Sequence, residues 1–186
     1  MRAIDILKLE HTILQRVLIT LDRGAVGAAH QKDVRPGFFI DAYGFVLDFT
    51  EGYHFKKEEE VLFKALVAHG LPVEGGPIGG LIEDHQQSHR YIRAMLEAAK
   101  QWEENDISAK AEVIWATSGY TSLLHAHIAK ENTVLFSLIN QEISREEQAE
   151  IAREFEKINT LVSGENLHEK YLKVAIAMEQ ESTDWK

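Results

Sequence analysis

His54–Phe63 reads HFKKEEEVLF, and His127–Phe136 reads HIAKENTVLF. Both stretches fit H-x-x-K-E-x-x-V-L-F. Each places a histidine four residues before a glutamate, as His54/Glu58 and His127/Glu131. On an α-helix, positions i and i+4 lie one above the other on the same face. Two stacked metal-binding groups, presented twice, predict a dinuclear metal site between two halves of a helical bundle.

The surrounding sequence supplies the helices. Ile4, Leu7, His11, Leu14, Leu18, Leu21, Ala25 and Ala28 alternate in steps of three and four, the apolar stripe of a helix over about 4–30. Pro36 opens a second helix through about His69, with an inward stripe of Leu47, Glu51, His54, Glu58, Val61, Ala65 and Ala68. Ionisable groups on such a stripe are costly to bury unless paired or metal-bound. Lys56, Lys57, Glu59 and Glu60 read as the solvated face of this helix. A loop rich in Gly and Pro, 70–77, precedes a third helix over about 78–104. Its stripe contains His85, with His89 one turn later, and two imidazoles four apart suit a transition metal. The fourth helix, about 109–140, carries Val113, Ala116, Tyr120, Leu124, His127, Glu131, Val134 and Leu138 inward and His125 outward. Ser144 and Glu147 form a capping box for a fifth helix through about Val162. Ser163, Gly164 and Glu165 break it, and Asn166 caps a last helix through about Glu179. The expected organisation is therefore all-α, with a bundle over 1–140 and a C-terminal helical extension over 141–186. In the extension, His168, Glu169 and Tyr171 could approach the site as a lid, although a packing role is the simpler reading.

Composition narrows the chemistry. The chain has 186 residues, long enough for one domain with a full core. It contains no cysteine, which excludes disulfides, thiolate metal sites, iron–sulfur clusters and cysteine catalysis. A formal charge of −10 argues against nucleic acid or an anionic membrane surface as partner. There is no apolar run long enough to span a bilayer, and Asp5, Lys8 and Glu10 interrupt any signal-like segment. A cytoplasmic location is the expectation.

The repeat extends to the preceding helices, because Glu10-His11 corresponds to Asp84-His85. Four residues after His85 stands His89, whereas four after His11 stands Gln15. The third and fourth helices thus offer His85, His89 and His127; the first and second offer His11 and His54. With Glu58, Glu131 and an oxo or hydroxo group as bridges, one metal is expected to be six-coordinate. The other is five-coordinate, with one open position. A polar core network without metal is the competing reading, but each of its members would need its own partner. Zinc and manganese fit the same ligands as iron.

The set His11, His54-x3-Glu58, His85-x3-His89 and His127-x3-Glu131 resembles the hemerythrin-like (HHE cation-binding) family over about residues 1–140. The resemblance implies an up-down-up-down four-helix bundle with a non-haem di-iron centre. It assigns His85, His89 and His127 to one iron, His11 and His54 to the other, and Glu58 and Glu131 as bridges. It implies a small ligand at the open position: dioxygen, another diatomic such as nitric oxide, or peroxide. The fourth-helix spacing is His-x3-Glu, as in bacterial and archaeal members, where invertebrate oxygen carriers have His-x4-Asp. Simple oxygen transport is therefore less favoured than sensing, storage or delivery. An enzyme that decomposes peroxide or reduces nitric oxide is the alternative, with Tyr120 and Glu51 as candidate proton donors. Iron handling is a third reading. The chain is expected to act as a monomer or homodimer, with any signalling output passing through a partner.

Overall fold

The computed structural model describes residues 1–162 and 167–185. Helix α1 spans Ala3–Ala29. Helix α2 runs unbroken over 36–68. Helix α3 spans Pro77–Glu103, and α4 runs over 107–142. These four form the bundle; α5 (Arg145–Val162) and α6 (Leu167–Thr183) complete the chain. No strand occurs among the described residues. The break and cap expected at Ser163, Gly164, Glu165 and Asn166 lie outside them.

Local chemistry sets the boundaries. Pro36 and Pro77 stand in the first turn of α2 and α3, where a missing N–H costs no hydrogen bond. After α2 the chain turns at Gly70, whose φ of 90° favours glycine. There the Leu71 N–H donates to the Leu66 carbonyl at 3.1 Å, satisfying one of the helix's last acceptors. The Ser144–Glu147 capping box forms as expected, with the Glu147 N–H donating to Ser144 Oγ at 3.2 Å. Gly119 lets α4 approach α3, since a Cβ there would lie 2.4 Å from the Tyr91 ring.

One register differs from a regular α-helix. On α2 the buried positions Val46, Thr50, His54, Glu58, Leu62 and Leu66 recur every four residues. On α4 the sequence His127, Glu131, Leu135, Ile139 does the same. In an α-helix each step of four drifts by about 40° around the axis, so such a column would spiral off the core face. Wider π-helical turns at Val46–Phe55, Glu58–Leu62 and Glu131–Leu135 counter this drift. The expected stripe through Val61 and Ala65, or through Val134 and Leu138, is consequently off by one residue. Leu62 and Leu135 are buried, while Val134 is 48% exposed.

The C-terminal helices pack on α1 and α2. From α5, Ile151 and Phe155 join the apolar cluster at the lower end of the bundle. From α6, Tyr171 stacks among Phe45, Phe49 and Tyr53, with ring centroids 4.7 Å from Phe49. Arg16–Glu179 at 2.6 Å and Arg35–Glu181 at 2.7 Å tie α6 to the first two helices. Phe49 is fully buried at the centre of this aromatic group. Phe49→Ala is expected to lower the unfolding free energy by about 3–5 kcal/mol, measured by urea denaturation.

Candidate metal centre

Midway along the bundle, each of the four helices turns ionisable side chains inward. His11 comes from α1, His54 and Glu58 from α2, His85 from α3, and His127 and Glu131 from α4; all are buried. They form two overlapping groups. One is His11, His54, Glu58 and Glu131; the other is Glu58, His85 and His127. Glu58 belongs to both, with one oxygen 3.3 Å from His54 Nε2 and the other 3.3 Å from His85 Nε2. Glu131 Oε2 lies 3.0 Å from His11 Nε2 and 3.6 Å from His127 Nε2. The His85 and His127 Nε2 atoms are 3.3 Å apart. That is the separation expected of two nitrogens each about 2.1 Å from one ion.

These atoms fit cations better than they fit one another. Both oxygens of Glu58, both of Glu131, and the Nε2 atoms of His11 and His54 are buried without a hydrogen-bond partner. Burying unpartnered carboxylates is prohibitive without compensation. Burial pushes the Glu58 carboxyl well above the usual range, and the facing Glu131 carboxylate adds to the rise. Burial also drives His54 well below its ordinary value, so its ring is neutral, as a ligand must be.

In three of the four imidazoles the other ring nitrogen is held by a carboxylate, whereas His11 Nδ1 is buried without a partner. His54 Nδ1 donates to Glu10 at 2.8 Å, His127 Nδ1 to Asp84 at 3.2 Å, and His85 Nδ1 to Glu59 at 2.6 Å. In each case the proton is fixed on Nδ1, and Nε2 is left as a lone-pair donor facing the centre. The acids before His11 and His85 thus serve the histidine of the following helix. Lys57 donates to Glu10, and Lys130 donates to Asp84 at 2.5 Å. The sequence signal was the lysine shared by both copies of the motif. Lys57 does not lie on a solvated face as expected: it is fully buried. Glu59 stays on that face, 45% exposed, and reaches His85 from there, which holds its carboxyl below the usual range.

Of the seven residues singled out from sequence, six converge and His89 does not. Its side chain is 47% exposed, and its Nδ1 lies 3.0 Å from Glu51. His85 and Ser88 occupy the buried positions of that α3 turn, which leaves His89 on the rim. A cleft of about 610 Å³ opens here, lined among others by Glu51, Phe55, His85 and His89. Phe55 stacks on His85 with centroids 3.6 Å apart, at the inner wall. Tyr120 is buried, with its hydroxyl pushed above the usual range by burial. His125 lies outward as expected, with its Nε2 3.2 Å from Asp22.

A sequence model of the hemerythrin HHE cation-binding domain matches residues 2–139. The chain belongs to the hemerythrin family. No curated protein and no solved structure gives a match. The hemerythrin match covers α1 to α3 and nearly all of α4, and with them every member of the buried cluster. A cation-binding domain accounts for the unpartnered glutamate oxygens. Helices α5 and α6 follow the matched stretch. Among the described residues no helix is long and apolar enough to cross a membrane.

The raised Glu58 value has a measurable sign. Between its unfolded value near 4.3 and its higher folded value, the folded state binds more protons, so stability declines as pH rises. Metal-free Glu58→Gln lacks this titration. Its Tm is expected to gain on that of the metal-free wild type from about pH 5 to pH 7.5. A difference independent of pH would show that Glu58 ionises freely in the folded protein.

Proposed function

We propose that this hemerythrin-family chain is a non-haem di-iron protein that binds a small diatomic ligand, dioxygen or nitric oxide, for sensing, storage or delivery. The observation that carries the reading is the buried, unpartnered carboxylate pair Glu58 and Glu131, flanked by four inward-facing imidazoles. In it, His11 and His54 would hold one iron and His85 and His127 the other, with Glu58 and Glu131 as the carboxylate ligands between them. His89 completes the second iron's ligands if its side chain leaves Glu51. A pair of ferrous ions held there would supply redox-active centres able to take a diatomic molecule.

The protein's own contribution is positioning and exclusion. Glu10, Asp84 and Glu59 fix the tautomers of three ligand histidines. The apolar side chains of Phe55, Phe63 and Phe136 pack against the imidazoles and keep water from the interior. The cleft beside His85 offers a small molecule a route toward the centre. Neutral imidazoles and carboxylates favour iron, manganese or zinc over harder ions, and the family resemblance favours iron.

Protein expressed with ample iron is expected to carry about two iron atoms per chain. Exposure of the reduced form to dioxygen should then produce a reversible charge-transfer band in the visible spectrum. Irreversible oxidation with peroxide turnover would instead identify an enzyme. Less than one metal per chain would refute the di-iron reading. Because Glu58 serves both groups, Glu58→Ala should lose both ions, while His11→Ala should retain about one.

A further inference from the structure

The two halves of the centre share a motif but differ in their surroundings. On one side, Lys57 donates to Glu10, and Glu10 accepts the Nδ1 proton of His54. Lys57 has no exposed side-chain surface, and Glu10 is 4% exposed. A buried ammonium is rare and costly, because desolvation removes more than a single ion pair restores. Here the cost is offset by aromatic faces. Lys57 Nζ sits 3.4 Å from the centre of the Tyr53 ring and 5.8 Å from that of Phe155. Phe155 comes from α5, and Tyr171 of α6 backs Tyr53 at 6.4 Å. The C-terminal helices therefore build the chamber that holds Lys57.

The matching device on the other side is open. Lys130 is 51% exposed and Asp84 13% exposed, and the cleft reaches His85. An ion pair in water is screened and holds its geometry weakly, whereas a desolvated one holds it tightly.

From this contrast we propose that Lys57 is a positioning residue that, through Glu10, locks His54 onto its ion and makes the two ions kinetically inequivalent. The ion on His11 and His54 is held slowly exchanging behind the C-terminal helices. The ion on His85 and His127 exchanges readily and is the one reached from the cleft. This rests on the two-ion reading above. It assigns helices α5 and α6, through Phe155 and Tyr171, a role in the centre itself.

The test uses full-length protein loaded with zinc, a diamagnetic stand-in, and challenged with excess chelator. Wild type is expected to release one zinc quickly and one slowly. Lys57→Met should accelerate the slow phase at least 10-fold, in the range typical for loss of a residue supporting a metal ligand. Lys130→Met should leave the slow phase unchanged. Nitrogen-15 NMR of the zinc-loaded imidazoles adds a readout that general destabilisation does not move. The His54 Nδ1–H signal should be protected from solvent exchange in wild type and in Phe39→Leu, a core variant without contact to Lys57. It should lose that protection in Lys57→Met. If Lys57→Met does not fold, Phe155→Ala, which strips one aromatic wall and keeps the Glu10 ion pair, should accelerate the slow phase by a smaller factor. Two zinc ions released in a single phase, or a slow phase untouched by the variants, would overturn the inference and leave the two-ion reading intact. Zinc binding below one per chain would overturn the two-ion reading itself.

Discussion

Two carboxylates with no partner sit at the centre of this bundle. Glu58 and Glu131 face each other from α2 and α4, buried, with all four oxygens free of hydrogen bonds. Without a cation the two cannot both ionise readily: burial and the facing Glu131 carboxylate push the Glu58 carboxyl up, while the surrounding imidazoles hold Glu131 down. The interior is therefore designed around cations, and the rest of the structure serves to make that arrangement tolerable. Four helices bring the imidazoles to the carboxylates. A further set of acids orients the imidazoles, and apolar rings close the space around them. A cation held there would couple metal occupancy to fold stability, since buried carboxylate oxygens and imidazole nitrogens would be left unpartnered without it.

The helices that carry those carboxylates are not regular. A ligand pair spaced by four can be placed on any α-helix, but a column of four or more such steps cannot stay on one face. The π-helical turns on α2 and α4 resolve this conflict locally, at the glutamates themselves. Their position matches the general association of such turns with functional sites. The consequence reaches beyond the ligands, because the apolar residues below each glutamate shift by one. Leu62 and Leu135 enter the core in place of Val61 and Val134.

The two halves of the molecule began from one pattern and ended in different environments. The pair Lys57–Glu10 and the pair Lys130–Asp84 are chemically alike, yet one is sealed and the other meets water. What separates them is the C-terminal pair of helices, which covers only one side. Local dielectric, more than residue type, is thus what separates the two halves of the cluster.

Much of this was legible in the residues alone. Steps of three and four along α1 and α3, Pro36 at a helix start and Gly70 at a helix end are local signals, and each marks its element correctly, whereas Pro77, read as loop, opens α3. The repeated His-x3-Glu pairs identify the cluster, because helical periodicity converts spacing into a shared face. Three things required the tertiary structure. The π-helical register depends on what the facing helices demand of α2 and α4, and no local propensity encodes it. Lys57 reads as a surface residue until Phe155 and Tyr53 enclose it. His89 has the spacing of a ligand but turns to Glu51, a choice made by a residue from another helix. Spacing along one helix determines which residues share a face; which of them are buried, and beside what, is decided by the helices that pack against it.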